Sequence, residues 1–270
     1  MITASIVLYY PNKPMLITLL DCVKQSNCID RLWVIDNAPT PENVWVKTYL
    51  PNIEYIESKN VGYGHAHNIA MQKAVQVGST YHVVLNPDIE FASDVLPQLA
   101  TYMDAHTDAG WVMPKVLYPN GELQYLCKKL PSPMNLFLRR FLPAWNWVKK
   151  MDDEFELRFT GYNKEMNVPF LSGCFMFLRV STIEKHSLFF DQRFFMYCED
   201  LDLSRRFHLV SKTMFYPGVS IVHNHERASY KSKKLLLCHV KSVCKYFTKY
   251  GWLFDSQRKK INSTLFNSIQ

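Results

Sequence analysis

The chain has 270 residues, 48% hydrophobic and 20% charged, with 31 Lys and Arg against 24 Asp and Glu for a formal charge of +7. That length and balance suit a folded core of one large α/β domain or two small ones, and no apolar run approaches the roughly 18 residues of a spanning helix. Seven scattered cysteines without a Cys-x-x-Cys pair suggest neither a disulfide framework nor a zinc site and fit a reducing cytosol, and Met1–Leu8 lacks the basic start of a signal peptide.

In chain order, Ser5–Tyr10 reads as a first strand, stopped by Pro11-Asn12-Lys13-Pro14, and Leu16, Leu19, Leu20 and Val23 then recur at helical spacing. Arg31–Ile35 is a second strand closing on Asp36-Asn37-Ala38-Pro39, and Ile53–Ile56 is a short third. Asn60-Val61-Gly62-Tyr63-Gly64 opens a helix continued by Ile69, Met71 and Ala74, and Tyr81–Leu85 is a fourth, buried strand. This alternation predicts an α/β fold with a mainly parallel sheet and helices on both faces. Further on, Trp111–Pro114 reads as strand and Tyr118–Glu122 as a turn. Residues 126–163 lack clean periodicity and are expected to form a mobile, substrate-facing insertion. Phe170–Leu178 reads as one strand, Thr182–Lys185 as the start of a short helix, and Ser220–Val222 as a last strand.

Three places in this pattern can carry chemistry. Asn86-Pro87-Asp88 follows the fourth strand, where Pro87 ends the ladder and leaves Asp88 at the sheet's carboxyl edge. Alone the triplet is a turn; with a second acidic cluster it becomes a site for a hard divalent cation, which needs oxygen ligands. Glu199-Asp200-Leu201-Asp202 follows an aromatic run and suits a helix first turn, either as dipole-complementing acids or as a general base beside a hydroxyl. Arg205 or Arg206 could neutralise a diphosphate or lock these acids by pairing. His223 and His225 share one face at a strand end, which suits a metal or a leaving-group phosphate. Asp36, at its strand end, reads as an Asx turn or as a contact to a base or ribose.

Together the segments Val7–Asn12, Val34–Asn37, Asn60–Gly64, Leu85–Asp88, Leu171–Met176 and Phe194–Leu203 resemble the family 2 inverting glycosyltransferases with the GT-A fold. Within that family the bacterial rhamnosyltransferase-like group is the nearest in pattern, over roughly residues 3 to 225. The resemblance implies a catalytic domain over 1–225, with a nucleotide-sugar half (1–110) and an acceptor half (111–225). Tyr9, Asp36, Asn60, Gly62, Asn86 and Arg205 would bind the donor nucleotide. Asp88, with His223 or His225, would hold Mg²⁺ or Mn²⁺, and Asp200 would be the base with Glu199 beside it. Asn86 departs from the pattern, since many members carry Asp there. The implied reaction moves a sugar, first rhamnose from dTDP-rhamnose, to a hydroxyl of a bacterial surface glycan or lipid-linked saccharide. A UDP-hexose donor is the alternative, and a catalytically silent carbohydrate- or lipid-binding module is the non-enzyme reading.

From Glu226 onward ten Lys and Arg face two acids, so a tail over 226–270 holds the excess positive charge. Leu236, Val240, Val243, Phe247 and Tyr250 form a helical stripe, with Lys234, Lys241, Lys245 and Lys249 opposite. The tail therefore reads as a helix packed on the domain, and equally as an anchor in which Trp252, Leu253, Phe254 and Arg258-Lys259-Lys260 meet anionic lipid. Without a recognised binding module, nucleic acid is the poorer partner. The expected location is cytoplasmic, peripheral on the inner membrane face.

Overall fold

The computed structural model describes residues 1–141, 145–224 and 233–269. Its central sheet is built from β1 (Ile2–Leu8), β2 (Arg31–Asp36), β3 (Ile53–Glu57), β4 (Tyr81–Leu85), β5 (Ile89–Phe91), β6 (Ala109–Leu117), β8 (Met166–Asn167), β10 (Phe175–Arg179) and β11 (Lys212–His223). These nine strands form one mixed sheet in the order β3-β2-β1-β4-β10-β6-β11-β5, with β8 also paired to β11. A separate two-stranded ladder joins β7 (Cys127–Lys128) to β9 (Phe170–Leu171).

The first four strands pair in parallel, as alternation of strand and helix requires. Side chains alternate between two faces. Ala4, Ile6, Leu8, Leu32 and Val34 join the main core with Leu16, Leu19, Leu20 and Val23 of α1 (Lys13–Ser26). Val7, Trp33 and Ile35 point the other way, onto Ala66, Ala70 and Ala74 of α2 (Tyr63–Gln76). The small alanines let α2 sit close to the sheet. α3 (Val95–Ala105) adds Val95, Leu96, Leu99 and Met103 to the main core.

Two departures from the linear reading matter for the site. Phe170–Leu178 is not one strand: it breaks at Ser172-Gly173-Cys174 into β9 and β10, and β10 runs antiparallel between β4 and β6. The stretch 126–163 is not structureless. Besides β7 it contains α4 (Pro133–Phe141) and α5 (Asn146–Phe155). Both are short and amphipathic, so their period is hard to read between prolines. The acids at 199–202 open α7 (Glu199–His208), which follows α6 (Val180–His186).

The tail forms α8 (Lys233–Tyr250) and α9 (Ser256–Ile269), folded onto the rest of the chain. Tyr246 and Phe247 are buried with Leu130, Phe194, Cys198 and Leu201. The stripe inferred from sequence is rotated: Tyr246 is inside, while Val240 is exposed. No helix among the described residues is long and apolar enough to cross a membrane.

Candidate active site

The helices after β1 and β3 cover opposite faces of the sheet, so a crevice opens at the carboxyl ends of β1 and β4, where open α/β sheets bind ligands. Tyr9 and Tyr10 lie just past β1 on this edge, both exposed and packed edge to face at 4.9 Å. Asp36 ends β2 fully buried. Its Oδ2 accepts from Asn43 Nδ2 at 2.8 Å and from the Tyr55 hydroxyl, and its Oδ1 accepts from the Ala38 amide at 2.9 Å. Asp36 thus fixes the loop after β2.

Asn60 Oδ1 accepts from the Gly62 amide at 3.2 Å, and Gly62 takes φ +91°. Any Cβ there would strike the Phe195 carbonyl, which itself accepts from the Tyr63 amide at 3.0 Å. Glycine is needed on both counts. This contact ties the loop after β3 to the segment that leads into α7.

Tyr63 extends the connection. Its hydroxyl lies 2.9 Å from Asn86 Oδ1 and 2.9 Å from the Gly173 carbonyl, so one side chain joins the β4 loop to the break between β9 and β10. Burial, then the nearby Glu199, holds the phenol protonated far above its ordinary range. Behind it runs a buried polar chain. His67 Nδ1 and His82 Nε2 contact Ser5 Oγ at 2.8 and 2.9 Å, and His82 Nδ1 contacts Thr3 Oγ1 at 3.0 Å. Burial drives both imidazoles neutral, His82 to about 3.

Asp88 and His223 meet across β5 and β11, with His223 Nε2 3.5 Å from Asp88 Oδ2. Gln124 determines which imidazole nitrogen faces Asp88. Its Nε2 donates to the His223 carbonyl at 2.8 Å and the Leu117 carbonyl at 3.2 Å, which turns Oε1 toward His223 Nδ1 at 3.0 Å. Nδ1 therefore carries the proton and Nε2 presents its lone pair toward the carboxylate. Burial keeps this ring neutral, lowered to about 4. A neutral imidazole lone pair and a carboxylate fit a divalent cation that completes its shell with phosphate and water. Among the described residues no group of three or more His, Cys, Asp or Glu gathers to hold an ion unaided. His225 lies outside the described residues.

Asp200 stands on the other wall. Its Oδ2 accepts from the Gly173 amide at 3.0 Å and its Oδ1 from the Leu201 amide at 2.8 Å. The strand break is what frees the Gly173 amide, and a Cβ at Gly173 would come within 2.9 Å of Asp200 Cβ. Tyr197 and Cys198, neither a glycine, are both left-handed (φ 68° and 63°) and swing the acids into place. Glu199 is 6% exposed, and its Oε2 has no hydrogen-bond partner among the described residues. Burial, followed by the adjacent Asp200, raises the Glu199 carboxyl. Burial also raises Asp200, against the two amides and then Lys128, which pull it down. Asp202 is structural: it accepts from Arg206 at 2.8 Å, from the Tyr250 hydroxyl at 2.8 Å and from Lys249.

Arg205 is a correction. It is 1% exposed, pairs in two-pronged fashion with Asp255 at 2.7 and 2.8 Å, and stacks 3.9 Å from the Tyr250 ring centre. It lies one turn beyond the acids on the tail side of α7, so it cannot reach a nucleotide. The tail needs two further corrections. Lys249 pairs with Asp191 and Asp202, and Arg258 is 8% exposed and donates to the Pro131 carbonyl, so neither is available to lipid.

Sequence reasoning missed Tyr63 and Gln124 as parts of this cleft. Both act through contacts more than 20 residues away; Tyr63 lies within the Asn60–Gly64 segment, but nothing in that pattern gives its hydroxyl a partner. A hollow of about 440 Å³ bounded by Asp108, Arg179, Lys185 and Lys212 lies at the opposite edge of the strands and shares no residue with the cleft.

The chain is similar to known proteins in sequence and in fold. The model of glycosyl transferase family 2 matches residues 5–187. Rhamnosyltransferase WbbL of Escherichia coli (strain K12) is 27% identical over 80% of this chain and 81% of its own length. N-acetylglucosaminyl-diphospho-decaprenol L-rhamnosyltransferase of Mycobacterium tuberculosis is 24% identical over 64% of this chain, which spans 59% of that protein. In fold, the chain resembles S. aureus TarS 1-349, with TM-score 0.60, 14% identity, and coverage of 99% of this chain and 71% of that one. It is similarly close to the mannosyltransferase PcManGT from Pyrobaculum calidifontis, solved with GDP-Man and Mn²⁺, with TM-score 0.60, 15% identity, and coverage of 99% and 74%.

Proposed function

We propose, for a chain that belongs to glycosyl transferase family 2, an inverting transfer of one sugar from a nucleoside diphosphate donor to a hydroxyl of a bacterial surface glycan or lipid-linked saccharide. Rhamnose from dTDP-rhamnose is the first donor reading, supported by two relatives named for rhamnosyl transfer. A UDP-hexose is the second. The lipid-linked acceptor is supported by the diphospho-decaprenol in one of those names.

The observation that carries this reading is the position of Asp200. Two backbone amides hold its carboxylate, and each oxygen keeps a lone pair for a further donor. Tyr63 joins this wall to the Asn86 loop, so base and donor side keep a constant separation. An acceptor hydroxyl against Asp200 attacks the anomeric carbon and gives its proton to the carboxylate. The bond from that carbon to the nucleotide's phosphate oxygen breaks on the opposite side, and the configuration inverts. Glu199, raised by burial and by its neighbour, leaves Asp200 to carry the charge. Tyr9, Asp36, Asn60, Gly62 and Asn86 line the donor side. Asp88 and His223 would hold the divalent cation, Mg²⁺ or Mn²⁺, which when bound neutralises the diphosphate.

Attachment to an anionic membrane surface would bring the enzyme to a lipid-linked acceptor. With Lys249 and Arg258 engaged in the fold, this role falls to Trp252, Leu253 and Phe254, which are 45%, 76% and 88% exposed between α8 and α9. The neighbouring Lys241, Lys259 and Lys260 are also exposed.

The deciding experiment is Asp200→Asn, which preserves shape and one of the two amide contacts. Turnover of dTDP-rhamnose or a UDP-hexose should fall roughly 10²-fold or more, the usual worth of a general base. Binding of the nucleotide diphosphate, followed by thermal shift, should persist. Turnover at the wild-type rate in this variant would remove Asp200 as the base.

A further inference from the structure

Three acids stand in the first turn of α7, and the fold answers them unequally. Asp202 accepts from Arg206 at 2.8 Å, from the Tyr250 hydroxyl at 2.8 Å and from Lys249. Asp200 holds the amides of Gly173 and Leu201 at 3.0 and 2.8 Å. Glu199 is 6% exposed, and its Oε2 is sealed from solvent with no donor to meet it. Among the described residues no Lys or Arg pairs with it, because Arg205 is taken by Asp255 and Arg206 by Asp202. A helix start favours acids, but an acid that only serves the dipole keeps its oxygens on water or on free amides. The sealed Oε2 has neither.

Two buried carboxyls in consecutive residues cannot both carry charge cheaply. The proton goes to the one with fewer donors, and two amides on Asp200 against none at Oε2 decide for Glu199. The other titratable groups coupled to it are Tyr63 of α2 and Cys198 just before α7. Burial holds that phenol and that thiol neutral, so Asp200 is the charge that Glu199 feels. A carboxylic acid in this state has an O–H to give, and rotation about its last bond is soft enough to aim it.

We infer that Glu199 works as a neutral acid that donates a hydrogen bond to a sugar hydroxyl beside the reacting centre, while Asp200 alone takes the proton. The inference rests on the transferase reading above and adds how a sugar, as distinct from its phosphates, is held. Donor and acceptor sugars both carry such hydroxyls, and the same lone pair answers Glu199 in either case.

The test uses the full chain with dTDP-rhamnose or a UDP-hexose and a soluble acceptor, and compares Glu199→Leu and Glu199→Gln with wild type. Leucine removes the donor and should lower kcat/KM at pH 7 by roughly tenfold or more, the size of one hydrogen bond lost with its partner left unpaired. A rise in KM for the nucleotide sugar, with UDP or dTDP alone bound as before, would put the hydroxyl on the donor; a rise for the acceptor would put it there. Glutamine keeps an N–H in the same place and should restore most of the loss. Wild-type kcat/KM should fall on the alkaline side, where Glu199 gives up its proton and the hydrogen bond with it, and Glu199→Gln should lack that fall. A purely structural acid would leave the pH profile unmoved. Glu199→Gln as inactive as Glu199→Leu, or with the alkaline fall intact, would overturn the inference; so would wild-type rates in a folded Glu199→Leu. Thermal unfolding shows which variants fold, and the isosteric glutamine carries the test through its pH profile should leucine not fold. No turnover of any nucleotide sugar by wild type would overturn the transferase reading itself, and the inference with it.

Discussion

Replacing Arg205 by Met separates its two readings. If Arg205 gripped the donor diphosphate, the variant would fold normally and bind nucleotide poorly. In the fold it instead joins α7, which carries Asp200, to the start of α9 through Asp255, Gln257 and the Tyr246 hydroxyl. Methionine keeps much of the apolar stem against Tyr250 but leaves Asp255 buried without its cation. Burial alone would raise the Asp255 carboxyl; the Arg205 hydrogen bonds win and hold it low. Removing one partner of a buried pair costs about 3 to 5 kcal/mol. Asp255 still accepts from the Arg258 amide at 2.8 Å, which places the loss near the lower end, about 3 kcal/mol. For a chain of this size that lowers Tm by about 6 °C. The loss should itself vanish at low pH, because a carboxyl held low stabilises the fold only above its unfolded value. Denaturant unfolding at pH 7 gives the stability. Titration with UDP and dTDP, well below Tm, gives nucleotide affinity, which should stay within about twofold of wild type, since Arg205 makes no contact in the crevice. Normal stability together with weakened nucleotide binding would refute this assignment.

Gln124→Leu should leave the fold intact but free His223 to rotate and change tautomer, raising the Mn²⁺ or Mg²⁺ concentration for half-maximal activity by roughly 10- to 100-fold; metal titration of the initial rate measures it. His67 and His82 are held neutral, below their unfolded value of 6.5, so the unfolded chain takes up protons that the fold excludes. Stability is complete above about pH 6.5 and falls as pH drops, by about 2 kcal/mol per histidine at pH 5; in His82→Gln the pH 7 to pH 5 loss seen by denaturant unfolding should shrink by about that amount. Leu253→Ser with Phe254→Ser should abolish sedimentation with anionic liposomes at low salt while transfer to a soluble acceptor continues, and binding that survives the pair would remove this loop as the anchor.

The sequence alone determined the elements whose signal is local. β4 matches its apolar run residue for residue, and α1 buries the four residues whose spacing announced it, because hydrophobic period and proline punctuation act over a few neighbours. The motif order marked Asp88 and Asp200 as candidate site residues before any contact was known. Tertiary structure alone decided which charges serve the cleft. Arg205 and Arg206 are adjacent in sequence beside the same acids, yet one locks the tail and the other braces Asp202. Likewise Phe170–Leu178 has the composition of one strand, but it breaks at Ser172-Gly173-Cys174, where the Gly173 amide turns toward the Asp200 carboxylate. A side chain's partner depends on which distant segments the fold brings within about 3 Å, and a one-dimensional pattern carries no record of that distance.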